Sequence, residues 1–315
     1  MIVCKLKGYD GKEYQLPPLL TGRFSHGVGL PCDSFSVKCL WGGGEVSPLN
    51  AAVRFTAVQD GVLRFTGVVD EVCVTQTAAG RFVEVTGRGL GALLLDNEAL
   101  AQEYQTATLA DLVRGHVTPY GITVAPGASL PAVEGFSVAS GSSEWQVVCD
   151  FARYHGGVTP RFDVEGRLVL KKPEDGGTRL LDESVPVTAM EYCTRRYGVL
   201  SQVLVRDKPR KTVETVNNEQ FLREGGTCRR VMTMPGRSSN HAMRYSGGFQ
   251  LESSAEKRYR LTLTVPLPFF AQPGERLQIA RKGWGCDGLW QVKERETLVT
   301  ERGMESVLTL YREEN

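Results

Sequence analysis

The sequence lacks the short patterns that mark an enzyme at sight. Its 315 residues hold no Cys-x-x-Cys, no His-Glu-x-x-His, no Gly-x-Ser-x-Gly and no Gly-x-x-x-x-Gly-Lys-Ser/Thr. Those absences remove the common zinc sites, zinc proteases, serine-hydrolase elbows and phosphate loops. Charge of one sign is lacking too: 37 Lys and Arg stand against 36 Asp and Glu, a formal charge of +1. No global field draws the chain to nucleic acid or an anionic membrane, although a local patch stays open. No run approaches the roughly 18 apolar residues of a membrane span, and MIVCKLKGYDGKEYQLPPLL has no signal-length apolar core. The expectation is a protein made in the cytoplasm with no cleaved export signal. Eight cysteines (Cys4, Cys32, Cys39, Cys73, Cys149, Cys193, Cys228, Cys286) and four histidines (His26, His116, His155, His241) are scattered. They read as buried or incidental groups rather than a disulfide framework or a metal site; no metal and no cofactor is expected.

What is present is punctuation for strands. Asp10-Gly11, Asp60-Gly61, Glu165-Gly166, Asp175-Gly176 and Asp287-Gly288 sit mostly between short β-prone runs, and such pairs tolerate the positive φ of tight hairpins. AVRFTAVQDGVLRFTGVVDEVCVTQ (52–76) reads as three strands, with Val53, Phe55 and Ala57 on one face, and RFVEVTG (81–87) as another. The first hundred residues thus predict an antiparallel sheet closing into a small barrel. Two capped helices follow. TLADLVRGHV (108–117) has Thr108 as N-cap and Asp111 in the first turn, and SSEWQVVCDFARYHGG (142–157) has Ser143 and Gln146 at capping-box spacing. The second helix carries Trp145, Val148, Cys149 and Ala152 as an inward stripe and His155 in its last turn. A hairpin sets Phe162 and Val164 against Leu168 and Leu170. After a strand in 197–207 comes a polar stretch, 208–250, whose TCRRVMTMPGR cluster is either a solvated loop or a face for an acidic partner. Four runs then alternate at period two (257–267, 274–283, 288–301, 304–313) and predict a second antiparallel barrel.

Gly87, Gly89 and Ala92 match the Gly-x-Gly-x-x-Ala of a dinucleotide loop. That loop needs a strand buried on both faces and a helix starting inside the glycines. Here Arg81 and Glu84 mark the strand as half-exposed, and the next good helix begins only at Thr108. The expectation is a bend, with Gly87, Gly89 and Gly91 turning the chain out of the first barrel and Leu93–Leu95 anchoring it in the core. Asp70-Glu71 and Asp182-Glu183 are paired carboxylates, and Ser142 and Ser143 lie near His155 in sequence. Along one helix, however, that separation is about 18 Å at 1.5 Å per residue, too far to react. Trp145 and Trp290 fall on inward positions. Trp41, in a glycine-rich loop, and Trp284, in a turn, are the exposed candidates for a glycan contact.

VTGRGLGALLLDNEA, TLADLVRGHVTPYGITV, FSVASGSSEWQVVCDFARYHGGVTPRFDVEGRLVL, then PGERLQI and GLWQVKERETLVTERGMESVLTL, taken in this order, resemble the baseplate hub proteins of contractile-tailed phages and related injection machines, including Mu-like tail proteins and the late control D group. The resemblance spans nearly the full chain. It implies a mainly β fold with an α+β insert: a first barrel in 1–100 completed by parts of 185–235, an insert module in 101–176 and a second barrel in 177–315. It further implies a non-enzymatic virion part, a homotrimer whose two barrels per chain form a ring with pseudo-sixfold symmetry. The implied partners are the hexameric tail tube, the central spike, and wedge and tape-measure proteins. No specific nucleic acid binding is implied. No lysozyme-like domain is expected to be appended, which leaves cell-wall cleavage to another protein. The alternative is a phage-encoded cell-wall-binding module or hydrolase.

Overall fold

The computed structural model describes residues 2–29, 33–171, 178–207, 209, 211–234, 240–267 and 269–312, without the side chains of 154, 155, 240–242 and 245. Cys32, the Asp175-Gly176 turn and the side chains of His155 and His241 thus lie outside the described residues. The chain forms two compact units, Met1–Gly177 with Thr264–Glu275 and Lys293–Leu308, and Thr178–Leu263 with Arg276–Val292 and Thr309–Asn315.

The first unit begins with seven strands: β1 (Ile2–Gly8), β2 (Glu13–Gln15), β3 (Leu19–Gly27), β4 (Ser34–Leu40), β5 (Ala52–Gln59), β6 (Val62–Thr77) and β7 (Gly80–Gly89). They pair in the order β3-β4-β7-β6-β5-β1-β2. The outer edge of β3 is covered by 294–299, antiparallel, from the far end of the chain. Strand formation follows local chemistry. Inward residues alternate with outward ones in β1 and β4, and both residues of the Asp60-Gly61 turn take positive φ, 49° and 82°. The sheet is strongly curled. Phe24 on β3 and Phe55 on β5 are four strand steps apart, about 19 Å in a flat sheet at about 4.8 Å per strand. Their ring centroids lie 6.2 Å apart. Phe35 stacks on Phe55 at 3.8 Å, and Phe65 meets Phe24 at 5.9 Å. Rolling the sheet about these four rings buries them with Cys4, Leu6, Val37, Val83 and Val85 in one core. Each buried ring contributes roughly 1.5–3 kcal/mol.

Two local readings change. The stretch 62–77 is one strand of 16 residues rather than two, because a register shift between Val69 and Glu71 bends it without breaking it. The glycines at 87 and 89 do not bend the chain out of the barrel either. Both lie inside β7, paired across the ladders with Phe35, Val69 and Gly67. The turn comes after them, where Gly91 caps α1 (Ala92–Leu95).

An α+β module completes the first unit. It contains β8 (Gln102–Ala107), α2 (Leu109–His116), β9 (Val133–Val138), α3 (Glu144–Asp150) running on as a π-helical turn to His155, and the hairpin β10 (Arg161–Phe162) with β11 (Leu168–Val169). Thr108 and Asp111 form a reciprocal capping box at α2. At α3 the Ser143 hydroxyl accepts from the Gln146 amide at 3.1 Å, but the Gln146 side chain turns to Asp150 at 2.6 Å, so that box is half made. Trp145, Val148, Cys149 and Ala152 all face inward, and Phe162 lies opposite Leu168. Leu94 belongs to this core, with Leu90, Leu93 and Leu95 packed against it, and not to the phenylalanine core of the barrel.

In the second unit β12 (Arg179–Leu181) pairs in parallel with 277–279, and β13 (Ala189–Thr194) lies beside 259–266. β14 (Gln202–Asp207) is the centre of a separate three-stranded sheet, flanked by β15 (Thr212–Asn217) and, in parallel, β16 (Arg229–Thr233). Its back is covered by the helix Asn240–Ala255, through Met243 and Leu251 on Val203 and Val205. Within the basic cluster at 227–237, Arg229–Thr233 is therefore strand rather than loop. Val231 and Thr233 favour an extended chain once an apolar neighbour such as β14 is available. The four C-terminal runs are strands at Tyr259–Pro266, Arg276–Ile279, Gly288–Thr300 and Gly303–Arg312.

Candidate functional site

The residues that invited a catalytic reading are occupied structurally. The amide of Gly89 donates to the Asp33 carbonyl at 2.7 Å, and α1 is a single turn, so no row of free amides faces a phosphate. Asp70 is held by Arg88 at 2.7 Å, and the same guanidinium grips Asp96 at 2.7 Å, which keeps Arg88 charged and Asp96 well below the usual carboxylate range. Asp182 accepts from the Ser184 amide and hydroxyl, and Glu183 from the Lys282 amide at 3.0 Å; these bonds lower both carboxyls. They order loops and share no proton. Burial pushes the Cys4 thiol up to about 12 and Cys149 to about 11. Both stay protonated at neutral pH and are neither nucleophiles nor metal ligands. Among the described residues no three His, Cys, Asp or Glu side chains gather as a metal site.

Trp145 and Trp290 are buried, the latter donating its indole N–H to the Cys286 carbonyl at 2.7 Å. Trp41 packs against the barrel core, whereas Trp284 is half exposed.

Two buried polar clusters escaped sequence reasoning. In the first, His116 Nδ1 lies 2.6 Å from Glu144 Oε2, and Tyr120 donates to Glu144 Oε1 at 3.0 Å. The Tyr104 hydroxyl lies 3.0 Å from His116 Nε2. His116 is in the last turn of α2 and Glu144 in the first turn of α3, at opposite helix poles. Those poles were the local signal; the 28-residue separation hid the pairing. Burial raises the Tyr104 and Tyr120 phenols, with Glu144 adding to each. The other partners are the Tyr104 and Tyr120 phenols and the Gln102 amide, 3.3 Å from His116 Nε2, with no serine or cysteine among them. The cluster clamps two helices and a strand and presents no activated nucleophile.

In the second cluster, His26 Nδ1 lies 2.9 Å from Asp33 Oδ2, and the Gly27 amide donates to Asp33 Oδ1 at 3.1 Å. The fully buried Arg295 donates to Gln272 at 2.8 Å and lies 3.9 Å over the Phe270 ring, which Arg64 also approaches at 4.3 Å. Burial lowers Arg295 to about 9, against the pull of Asp33. His26 is lowered chiefly by burial, partly offset by its bond to Asp33.

Among the described residues no three metal-ligating groups converge on a common point, and the surface offers other features. Charge is segregated: the first unit has 18 Lys and Arg against 24 Asp and Glu, a net of −6, and the second has 19 against 12, a net of +7. Large apolar side chains stand exposed on both, including Leu100, Tyr9 and Val62 on the first and Tyr197, Val213 and Val231 on the second.

No protein-family model matches the chain, and curated protein sequences yield no match either. Solved structures do match. A tail protein from Neisseria meningitidis MC58 superposes with a TM-score of 0.81 at 17% identity, covering 99% of this chain and 97% of that one. The 43 kDa tail protein of prophage MuSo2 from Shewanella oneidensis gives 0.80 at 16%, with the same coverage. An E. coli component of the type VI secretion system, described as structurally similar to the phage T4 tail proteins gp27 and gp5, gives 0.58 at 12%, covering 94% of this chain and 74% of that one. The fold is that of phage tail proteins, mostly antiparallel β.

Proposed function

We propose that the chain is a structural subunit of a contractile phage tail or phage-tail-like particle: a baseplate hub protein that forms a homotrimeric ring joining the hexameric tail tube to the central spike. The observation that carries this reading is the end-to-end likeness of fold to two tail proteins, over 99% of the chain. The likeness to a secretion-system component related to gp27 and gp5 supports it from a second machine. In this reading 1–100, completed by parts of 185–235, and 177–315 are the two barrels, 101–176 is the insert between them, and wedge and tape-measure proteins are further neighbours. The protein sits in the virion baseplate after assembly in the host cytoplasm.

A hub needs no chemistry. Assembly by shape and by edge-strand pairing between protomers suffices, since a heterologous contact repeated around an axis closes into a ring. Electron microscopy of an assembled tail, with this subunit located, tests the reading. Three copies between tube and spike are expected; copies elsewhere in the particle, or a particle without them, would sink it. Nucleotide binding abolished by Gly89→Val would instead revive an enzymatic reading. Retention on isolated cell walls that depends on the exposed Trp284 would favour a wall-binding module.

A further inference from the structure

Strand β6 outruns its neighbour. On one side β5 pairs with it only as far as Val68, while on the other β7 follows it to Thr77. From Asp70 to Thr77 one backbone edge of β6 therefore has no strand beside it among the described residues. Every residue of that stretch except the half-buried Val72 is exposed. The second unit has a matching edge. Among the described residues β16 pairs with β14 alone, and Arg229, Arg230, Val231 and Thr233 are exposed. Uncovered edges offer unpaired N–H and C=O groups to another chain. No proline lies in either strand, and the charges they carry, which hinder pairing with a like edge, are opposite in sign on the two.

The side chains on the two edges are complementary. One reads Asp70-Glu71-Val72-Cys73-Val74, the other Arg229-Arg230-Val231-Met232-Thr233. Laid parallel, acids meet bases, Val72 meets Val231 and Cys73 meets Met232. Laid antiparallel about the same centre, the arginines face Val74 and its neighbours and the acids lose their partners. Pairing either edge in parallel with its own copy stacks like charges, which is destabilising. Asp70 is already gripped by Arg88, which leaves Glu71 as the acid facing Arg230, whose guanidinium also donates to Gln250 at 2.6 Å. The net charges of the two units, −6 and +7, act in the same direction at longer range.

We infer that the free edge of β6 in one copy of the chain adds in parallel to the free edge of β16 in a second copy, with Glu71 beside Arg230. This rests on the reading of the chain as a ring-forming hub, and it assigns the basic cluster a partner: the acidic edge of the neighbouring protomer.

The test uses the full-length protein and its native Cys73. In a Cys228→Ser background, Val231→Cys and Met232→Cys are each oxidised mildly and run on a non-reducing gel. A ladder of linked copies from at least one variant, lost with Cys73→Ser, is the expected result. Independently, Glu71→Arg should weaken self-association by about tenfold, and Arg230→Glu should restore it. If light scattering shows a trimer while no link forms and Glu71→Arg changes nothing, the edge pairing is wrong and the hub reading stands. If links form through Cys73 without either introduced cysteine, two β6 edges meet and the inference fails. If the chain is monomeric both in solution and in the assembled tail, both readings fail.

Discussion

A Cβ built on Gly87 would lie 2.0 Å from the Val68 carbonyl oxygen and 2.5 Å from the Phe35 ring, and one on Gly67 would lie 2.1 Å from the Arg88 carbonyl oxygen. Here glycine is required by close approach: the strands draw together where two phenylalanine rings cross them. Gly87→Ala should lower stability by about 3 kcal/mol, the upper range for overpacking, read as a drop in the urea midpoint at constant m. Gly89→Ala, whose Cβ would be 3.1 Å from that of Asp33, should cost distinctly less. Equal losses would refute this account of the pair. His26 supplies a pH prediction. Its folded pKa is depressed by burial, so its contribution to stability is complete above the unfolded value of about 6.5 and is lost as pH falls below it. Thermal midpoints should therefore decline from about pH 7 to about pH 5, and His26→Gln, which retains a donor for Asp33, should flatten that decline. An identical slope in both proteins would assign the pH dependence to other groups. At this scale the glycine pattern was conspicuous in the sequence, but its cause was the Phe35 ring, more than fifty residues earlier.

Caps and stripes are the elements the sequence displayed most clearly. Thr108 and Asp111 lie within one turn of each other, and so do Ser143 and Gln146, so neither cap depends on the rest of the fold. Thr108→Ala should cost about 1 kcal/mol and speed amide exchange in the first turn of α2. The exit from the barrel was less legible, because the leucines at 93–95 fit an apolar core without indicating which one. Leu94 is fully buried in the module core, so Leu94→Ala should cost about 2–5 kcal/mol. The loss should appear first as faster hydrogen exchange in α3 and β11, with β4 and β7 still protected; loss of protection in the barrel strands first would place Leu94 in the wrong core. The three-stranded sheet around β14 was hidden for a different reason. Its outer strands are polar and exposed, and only the helix on its back gives them an apolar side.

For the whole molecule, the full-length match in fold and the opposed charges of the two units bear on assembly. If oppositely charged patches meet between protomers, association should be slower and weaker at high salt. Raising the salt from about 0.1 M to about 1 M shortens the Debye length from about 10 Å to about 3 Å. Light scattering across that range should show the proposed trimer giving way to monomer at a protein concentration that sustains it at low salt. A trimer indifferent to salt would mean that apolar contact and strand pairing hold it without help from charge.

Period-two alternation, Asp-Gly turns and Ser or Thr caps are properties of a few neighbouring residues. By itself the sequence therefore determined the mainly β class, the four C-terminal strands and the two capped helices, and it removed the familiar catalytic motifs. Partnership over long separations was decided only by the tertiary structure: 294–299 beside β3, Glu144 against His116, Arg295 buried near Asp33, the uncovered edges of β6 and β16. Each depends on where a distant face finds cover, or fails to find it, when the sheet rolls around its phenylalanines, and no local stretch of sequence contains that information.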